Sequence, residues 1–450
     1  MLCLSDEVAS SADGLAMRNV FSAEAGVLRI LQFEAALAKV QARRQLIPAS
    51  AAQDIVEKAS LDNFDSVSWK NQRNRLGHPL VSVLETWSSS LQPESREWLH
   101  YGATTADVFN TVLVLQLQEA GSALLNQMTN IESRLAKLCS LHKSTPMVAR
   151  TLGRHAQPIT FGFKVATWLA EHRRSMERLA HWLKRYRTGI LSGAVGTYAA
   201  FGDAGPAIEH EVMTDLGLNE PEAVDWKGSR DRFAEFGCAI ALAARSCGHI
   251  GQEIFLACGD DIEELSESTE AVGSSTMPHK VNPSLSISVV SLSREVCAYV
   301  TPLMEWIPIT YERDSSQHGE VLRDMCVKMA DLLFDLDQLL ARLVVLPQAM
   351  NENLLRSGGM ILSEALTFSL SKHMGKRSAY ALMKRATNKA RSTGTSLKDI
   401  LQDSEEFHTV LEKNPQLLNE IHHVGLAETI AHNASKPFPI NREINSRGIH

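Results

Sequence analysis

Turn-forming residues are scarce in this sequence. It contains 26 glycines and 15 prolines among 450 residues, about 9% together, against about 12% in average globular proteins. An all-β sandwich needs turn residues about every 8–12 positions, so the sequence argues against that class. With 44% apolar and 22% charged residues, the chain is neither collagen-like nor disordered. We therefore expect a folded protein built from long helices.

The sequence also lacks the features of secreted, nucleic-acid-binding and membrane proteins. Its seven cysteines have no CxxC spacing, and its net charge is −7, so neither a disulfide scaffold nor a basic nucleic-acid surface is expected. The N-terminus has no basic segment followed by an apolar core, and no charge-free run reaches 18 residues. We predict a soluble, cytoplasmic protein with no membrane span and with buried thiols.

Long stretches without glycine or proline indicate the helices. Residues 163–188 and 320–346 contain neither residue. Apolar side chains recur in steps of three and four, which is the spacing that a left-handed helix bundle buries. The three apolar series are Leu117, Ala120, Leu124, Met128, Ile131, Leu135 and Leu138; Phe233, Phe236, Ile240, Ala243, Cys247, Ile250 and Ile254; and Leu322, Met325, Met329, Leu332, Leu336, Leu339 and Leu343.

Both ends of the chain have shorter periodic segments than the centre. We predict an all-α fold with an N-terminal helical domain over residues 1–103, a central long-helix bundle over 104–348 and a C-terminal helical domain over 349–450. Pro347 and the Gly358-Gly359 pair mark the second boundary.

The segment 271–283, between two long helical segments, holds an unusual set of polar residues. It combines a glycine, two adjacent serines, a threonine, a histidine, Lys280 and Asn282. A solvated loop is the ordinary interpretation of such a segment. The alternative is a catalytic lid, in which a hydroxyl removes a proton while Lys280 and Asn282 hold a carboxylate. The spacing excludes a GxxxxGK[ST] phosphate loop.

Three segments resemble the sequence blocks of one enzyme superfamily. Gly273–Pro283 (GSSTMPHKVNP) resembles the GSSxMPxKxNP signature of the fumarase/aspartase superfamily. Leu99–Thr111 and Arg150–Gly162 resemble two blocks of its branch that contains adenylosuccinate lyase and 3-carboxy-cis,cis-muconate cycloisomerase. The similarity extends over nearly the whole chain.

The resemblance implies a fold, an assembly and a reaction. It implies an all-α homotetramer whose central domains form a twenty-helix core, with each active site built from three subunits. The implied reaction is β-elimination, or the reverse addition, on a small succinate-like polycarboxylate. The resemblance implies no metal and no organic cofactor.

The resemblance also assigns roles to residues. Ser274 would be the general base, which requires donors that stabilise its alkoxide because serine is a weak base. The substrate carboxylates would be bound by Lys280 and Asn282 and, in the first block, by hydroxyls of Thr104 and Thr105. Ser275, next to the base, would also bind the substrate. Asp107 is either a substrate contact or a helix cap.

The second block departs from adenylosuccinate lyases at the proton donor. Those enzymes carry a histidine where this chain has Leu152, and commonly glutamine where it has Arg154; His155 is retained. An expelled amine needs a proton, whereas a carboxylate, with a pKa of about 4, leaves as an anion. Leu152 therefore favours a weakly basic leaving group, and Arg154 suggests a further anionic substituent or an intersubunit ion pair. His155, His100 and His78 remain candidates for an acid or a substrate contact.

Four functions remain open on the sequence. The first is a carboxymuconate-type lyase or cycloisomerase, and the second is an amine-releasing lyase of the adenylosuccinate type. The third is an inactive helical scaffold, which would not need so many polar groups in one segment. The fourth is a coiled-coil structural protein, which the polar loops and short terminal helices disfavour.

The assignment of Ser274 predicts the effect of one substitution. Ser274→Ala removes the proposed base, so turnover should fall to background while the helical circular dichroism and the assembly stay unchanged. Steady-state assays on the assembled protein measure the rate. Retained activity would refute the role given to Ser274.

Overall fold

The computed structural model describes residues 11–267, 277, 280–307, 310–313 and 318–439. The N-terminal part consists of short and medium helices, of which α2 is the longest. Their bounds are α1 Ala12–Val20, α2 Ala23–Arg43, α3 Ala49–Glu57, α4 Ser66–Leu76, α5 Pro79–Ser88 and α6 Pro93–Arg96.

The central part contains the long helices that the apolar series predict. Its elements are α7 Thr105–Leu141, β1 Pro146–Thr151, β2 Arg154–Thr160, α8 Phe161–Arg185, α9 Gly205–Asp215, α10 Asp231–Ala257, β3 Leu265–Glu267, α11 Ser284–Ala298, α12 Val300–Glu305, α13 His318–Arg342 and β4 Leu343–Val345. The last part has α14 Pro347–Leu355, α15 Ser363–Met374, α16 Lys376–Thr393, α17 Leu397–Gln402, α18 Glu405–Lys413 and α19 Ala427–Ala434.

The predicted apolar series are the buried faces of α7, α10 and α13. Nearly every member is fully buried; only Leu138 and Leu343, the last members of their series, are partly exposed. Helix α7 packs against α8 and α13, and α10 packs against α8 and α11. Removing one such fully buried leucine side chain typically costs about 2–5 kcal/mol. The bundle is therefore held together by these three series, as the sequence predicted.

Helix α7 is, within the described part of the chain, the one helix whose length and hydropathy would allow it to cross a membrane. Its most apolar window is 56% buried inside the protein. The core helix of a soluble protein satisfies the same two criteria, so this property is weak evidence for membrane insertion.

Two short antiparallel strand pairs interrupt the helical pattern. Strands β1 and β2 form a hairpin in which Thr151 pairs with Arg154, so Leu152 and Gly153 form a two-residue turn with φ of 52° and 74°. Type I′ hairpin turns require positive φ at both positions. The strands of this hairpin are not among the elements predicted from the sequence.

The second strand pair shortens a predicted helix. Residues 320–346 contain no breaker, yet α13 ends at Arg342 and β4 pairs with β3. The β-branched pair Val344-Val345 favours a strand locally. Pairing of β4 with β3 fixes the chain immediately before the segment 268–276, which lies outside the described residues.

The buried apolar residues group into a large core, a small core and a cluster of three residues, Val148, Leu354 and Ile361. The large cluster runs from Met17 to Met350 and includes Ala431 of α19, which packs back on α8. The small cluster runs from Leu362 to Leu417 within the C-terminal helices. The N-terminal helices thus share one core with the bundle, and the predicted domain boundaries at 103 and 348 stay predictions.

Candidate functional site

The first polar block begins the longest helix. Thr104 is the N-cap of α7, and one Asp107 carboxylate oxygen, Oδ2, accepts hydrogen bonds from the Thr104 backbone N at 2.9 Å and Oγ1 at 3.1 Å. This arrangement is a capping box with aspartate at the third helical position. Asp107 is therefore a helix cap, one of the two roles that the sequence left open. Thr104 and Thr105 remain half-exposed at the helix start.

The other oxygen of Asp107, Oδ1, belongs to a buried ion network. It lies 3.2 Å from Lys227 Nζ and accepts a hydrogen bond from Ser192 N. Lys227 Nζ also lies 3.0 Å from Asp225 Oδ2 and donates to the Gly193 carbonyl. Burial raises the pKa of Asp107, and the charge of Lys227 opposes that rise. Both side chains are almost completely buried, so Asp107 depends on Lys227 for compensation of its charge, while Lys227 has Asp225 as a second partner.

His100 lies just before this cap and is held by a buried glutamate. Its Nδ1 lies 2.6 Å from Glu34 Oε1 on helix α2, and its backbone has φ of 61°. The second Glu34 oxygen, Oε2, has no hydrogen-bond partner among the described residues. Burial alone would lower the pKa of His100, but the hydrogen bond and charge of Glu34 outweigh it and raise the pKa. Glu34 therefore stabilises the protonated form of His100.

The hairpin carries the candidate residues of the second block to the surface. Leu152 at its tip is 102% exposed, and Arg154 and His155 are also exposed. Burial and then the charge of Arg150 lower the pKa of His155. The surroundings of His155 therefore disfavour its protonated form, in contrast to those of His100.

A second buried glutamate anchors the hairpin. Arg150 of β1 makes two parallel hydrogen bonds to Glu264, at 2.7 and 2.9 Å, and Asn353 of α14 donates to the same carboxylate. Such bidentate pairs restrict geometry more than single contacts do. Hairpin, β3 and α14 are fixed to one another by this carboxylate.

The signature segment lies only partly within the described residues. Ser274 and Ser275 lie outside them, while Lys280 and Asn282 are exposed. Glu267, the last residue of β3, accepts hydrogen bonds from the backbone N of Leu285 and Ser286 at 3.0 and 2.9 Å. This buried carboxylate caps the N-terminus of α11. The two ends of the segment 268–283 are thus joined at one side chain.

His78 has a structural role at the start of another helix. It is the N-cap of α5, and its Nδ1 accepts a hydrogen bond from Val81 N at 3.3 Å. The side chain is exposed, so its other ring nitrogen faces solvent. Its assignment as a substrate contact stays a prediction.

Within one chain the candidate residues form two groups. Thr104, Thr105 and His100 lie together at the start of α7, whereas Arg154 and His155 lie on the hairpin, whose Gln157 hydrogen-bonds Glu364 of α15. Glu34, Glu264 and Glu267 are not among the residues predicted from the sequence, because the partners of Glu34 and Glu264 are 66 and 114 positions away and Glu264 and Glu267 lie within an acidic run over 260–267. In the described residues, no three His, Cys, Asp or Glu side chains are grouped as metal ligands.

Comparison with known proteins gives the family. Residues 12–298 match a family model described as Lyase. Over 372 residues the chain is 36% identical to N-acetyl-S-(2-succino)cysteine lyase of Enterococcus italicus, covering 82% of this chain and 81% of that protein. It is 32% identical to adenylosuccinate lyase of Methanothermobacter thermautotrophicus over 422 residues, covering 91% of this chain and 94% of that protein.

A solved structure agrees with both sequence comparisons. The 3-carboxy-cis,cis-muconate lactonizing enzyme from Pseudomonas putida superposes with a TM-score of 0.86 at 28% identity, covering 96% of this chain and 98% of that one. The chain belongs to the fumarase/aspartase superfamily of lyases. It is a lyase or cycloisomerase of that superfamily, which confirms the predicted family, the all-α fold and the class of activity.

The His100–Glu34 pair predicts a pH dependence of stability. Because the folded-state pKa of His100 is raised above about 6.5, the pair stabilises the fold below that pH and the gain is lost as pH rises through the folded pKa. In the Glu34→Gln variant the charge of Glu34 is absent, so burial lowers the pKa of His100 and the gain in stability at low pH disappears. Urea unfolding between about pH 6 and pH 9 should therefore give a difference between the two proteins that shrinks at high pH.

The exposed Glu85→Gln is the matched control, since Glu85 is a glutamate on a helix of the same region. Its unfolding free energy should follow the unsubstituted protein at every pH. A constant difference between Glu34→Gln and the unsubstituted protein across the range would contradict the raised pKa of His100.

Proposed function

We propose that this enzyme eliminates a weakly basic leaving group from a succinate-like polycarboxylate, or catalyses the reverse addition. A base removes the proton from the carbon next to one carboxylate, and the electrons of that C–H bond form the C=C bond. The leaving group departs from the neighbouring carbon with its bonding electrons, as a carboxylate or a thiolate. The product is an unsaturated polycarboxylate.

The identity of Leu152 carries this proposal. In the resemblance this position holds the histidine that protonates an amine leaving group, and here it holds an apolar, fully exposed side chain at the tip of a rigid two-residue turn. A leucine donates no proton. Carboxylates, with a pKa of about 4, and thiolates, with a pKa of about 8.5, depart without one far more readily than amines do.

Two relatives support this choice of leaving group. The relative from Enterococcus italicus is named for a substrate in which a succinyl group is attached to a cysteine sulfur. The structural neighbour from Pseudomonas putida is named for the lactonization of carboxymuconate. Sulfur and carboxylate leaving groups both fit a site without the amine-side histidine.

One observation favours a second candidate, an amine-releasing lyase of the adenylosuccinate type. Glu34 raises the pKa of His100, which lies four residues before Thr104 in the first block. The protonated form of His100 would supply the proton that Leu152 cannot. The relative from Methanothermobacter thermautotrophicus carries the corresponding name.

We further propose a homotetramer whose active sites are shared between three subunits. Large apolar side chains on the bundle helices remain about half exposed in the single chain; they are Leu242, Leu256, Ile287 and Met304. Such surfaces commonly pack against another subunit. Assembly would also unite the hairpin group with the helix-start group, and Ser274, Lys280 and Asn282 would complete the site. A monomer in sedimentation equilibrium would contradict this.

We also propose a cytoplasmic location and a small polycarboxylate, with no nucleic acid, as partner. The six cysteines within the described residues are free thiols, which is typical of reducing compartments. Fractionation of cells that express the protein tests the location.

A substrate panel tests the proposed leaving group. The panel contains N-acetyl-S-(2-succino)cysteine, carboxymuconolactone and adenylosuccinate, and the ultraviolet absorbance of the alkene reports the initial rate. The thioether or the lactone should give a kcat/KM at least about a hundredfold above that of adenylosuccinate, a difference of about 2.7 kcal/mol in transition-state stabilisation. Adenylosuccinate as the best substrate would establish the second candidate instead.

A further inference from the structure

Helix α16 has an unusual charge composition. Its 18 residues include six basic side chains and no acidic one, in a chain whose net charge is −7. Like charges four residues apart destabilise a helix. A concentration of uncompensated positive charge on one element calls for an anionic partner, either within the protein or bound to it.

Part of this charge faces a cavity. A space of about 1150 Å³ lies between α16, the start of α15 and the hairpin tip. Lys376, Tyr380, Lys384 and Arg391 line it; their spacing of four, four and seven residues places them on one face of the helix. Arg154 and His155 line the opposite wall. Cations from two separate elements therefore converge on the same space.

The protein itself supplies little negative charge there. Among the described residues, Lys376, Lys384, Arg391 and Arg154 make no ion pair. The carboxylate on the cavity wall, Glu364, accepts a hydrogen bond from Gln157 of the hairpin. Four cations around a concave surface produce a positive potential that attracts and concentrates small anions.

The cavity is also larger than a succinyl group requires. Small-molecule sites usually measure about 300–1000 Å³ for drug-sized ligands, so this space could hold a ligand with several anionic groups. Arginine and lysine side chains bind carboxylate and phosphate groups through charge-assisted hydrogen bonds. The geometry suits a compact ligand whose charges reach both walls.

We propose that this cavity binds a small polyanion, a phosphate-bearing or tricarboxylate molecule, held by Lys376, Lys384 and Arg391 of α16 and by Arg154 of the hairpin. Two sources have this chemistry: the anionic part of the enzyme's own substrate, and a separate effector. The claim that the cavity holds part of the substrate rests on the proposed function, whereas the claim that it binds a polyanion does not.

Isothermal titration calorimetry on the full-length protein tests binding without requiring turnover. The probes are citrate and inorganic pyrophosphate at low ionic strength, where charge interactions are least screened. At least one probe should bind, and Lys384→Met and Arg391→Met should each weaken its affinity about tenfold or more. Arg377→Met and Lys389→Met are the matched controls, since these exposed residues lie on the same helix but do not line the cavity.

Each result of the titration supports or overturns the proposal. Selective loss of affinity in the two cavity variants, with unchanged circular dichroism, supports it. Equal loss in the control variants indicates diffuse attraction to the helix and overturns it. Failure of both probes to bind also overturns it, as does tighter binding of a single-stranded oligonucleotide that all four variants weaken equally.

Kinetics then separate the two sources, with the best substrate from the panel. If the cavity holds part of the substrate, Lys384→Met should lower kcat/KM about tenfold or more, and the bound probe should inhibit competitively. If it holds an effector, Lys384→Met should leave the rate without probe unchanged and abolish the effect of the probe. If no substrate of the panel is turned over, the proposed function fails while the calorimetric result stands.

Discussion

The carboxylate of Asp107 joins three parts of the chain that would otherwise be independent. One of its oxygens caps α7, and the other contacts Lys227, which precedes α10, and the backbone of Ser192, which follows α8. Both side chains are withdrawn from water. Removing Lys227 leaves the Asp107 carboxylate buried without a cation, at a cost of about 3–5 kcal/mol, whereas removing Asp107 leaves Lys227 paired with Asp225 alone. The start of α7 is thereby fixed relative to the segments that follow α8 and precede α10.

The candidate site depends on the same type of contact. The polar blocks carry exposed side chains, and buried carboxylates hold the backbone beneath them: Asp107 beneath Thr104, Glu34 beside His100, Glu264 beneath the hairpin and Glu267 at the stem of the signature segment. Residues that contact substrate must be accessible to it, so their positions are fixed by buried residues that pack beneath them. The two histidines consequently differ in their surroundings: Glu34 raises the pKa of His100, whereas burial and the charge of Arg150 lower the pKa of His155.

The sequence predicts those parts of the fold that are specified by a local pattern of residues. The apolar series of α7, α10 and α13 have a period that specifies helices and the faces they bury, and the signature segment specified the family. It could not predict the anchors, because Glu34 pairs with a histidine 66 positions away and Lys227 with an aspartate 120 positions away. It also missed β4, where three residues continue a helical pattern but pair with β3. Those outcomes are decided by tertiary contact, which local patterns do not contain.

The central claim is that the buried contact between Asp107 and Lys227 organises the fold around the candidate site. A double-mutant cycle with Asp107→Asn and Lys227→Met, measured as the free energy of unfolding, tests it most directly. Lys227→Met should lose about 3–5 kcal/mol because it leaves Asp107 buried without a cation, and Asp107→Asn should lose less because Asp225 still pairs with Lys227. The double variant should lose less than the sum of the two by at least about 1 kcal/mol. Losses that add to within about 0.5 kcal/mol would contradict the account, since they would show that the two side chains act independently.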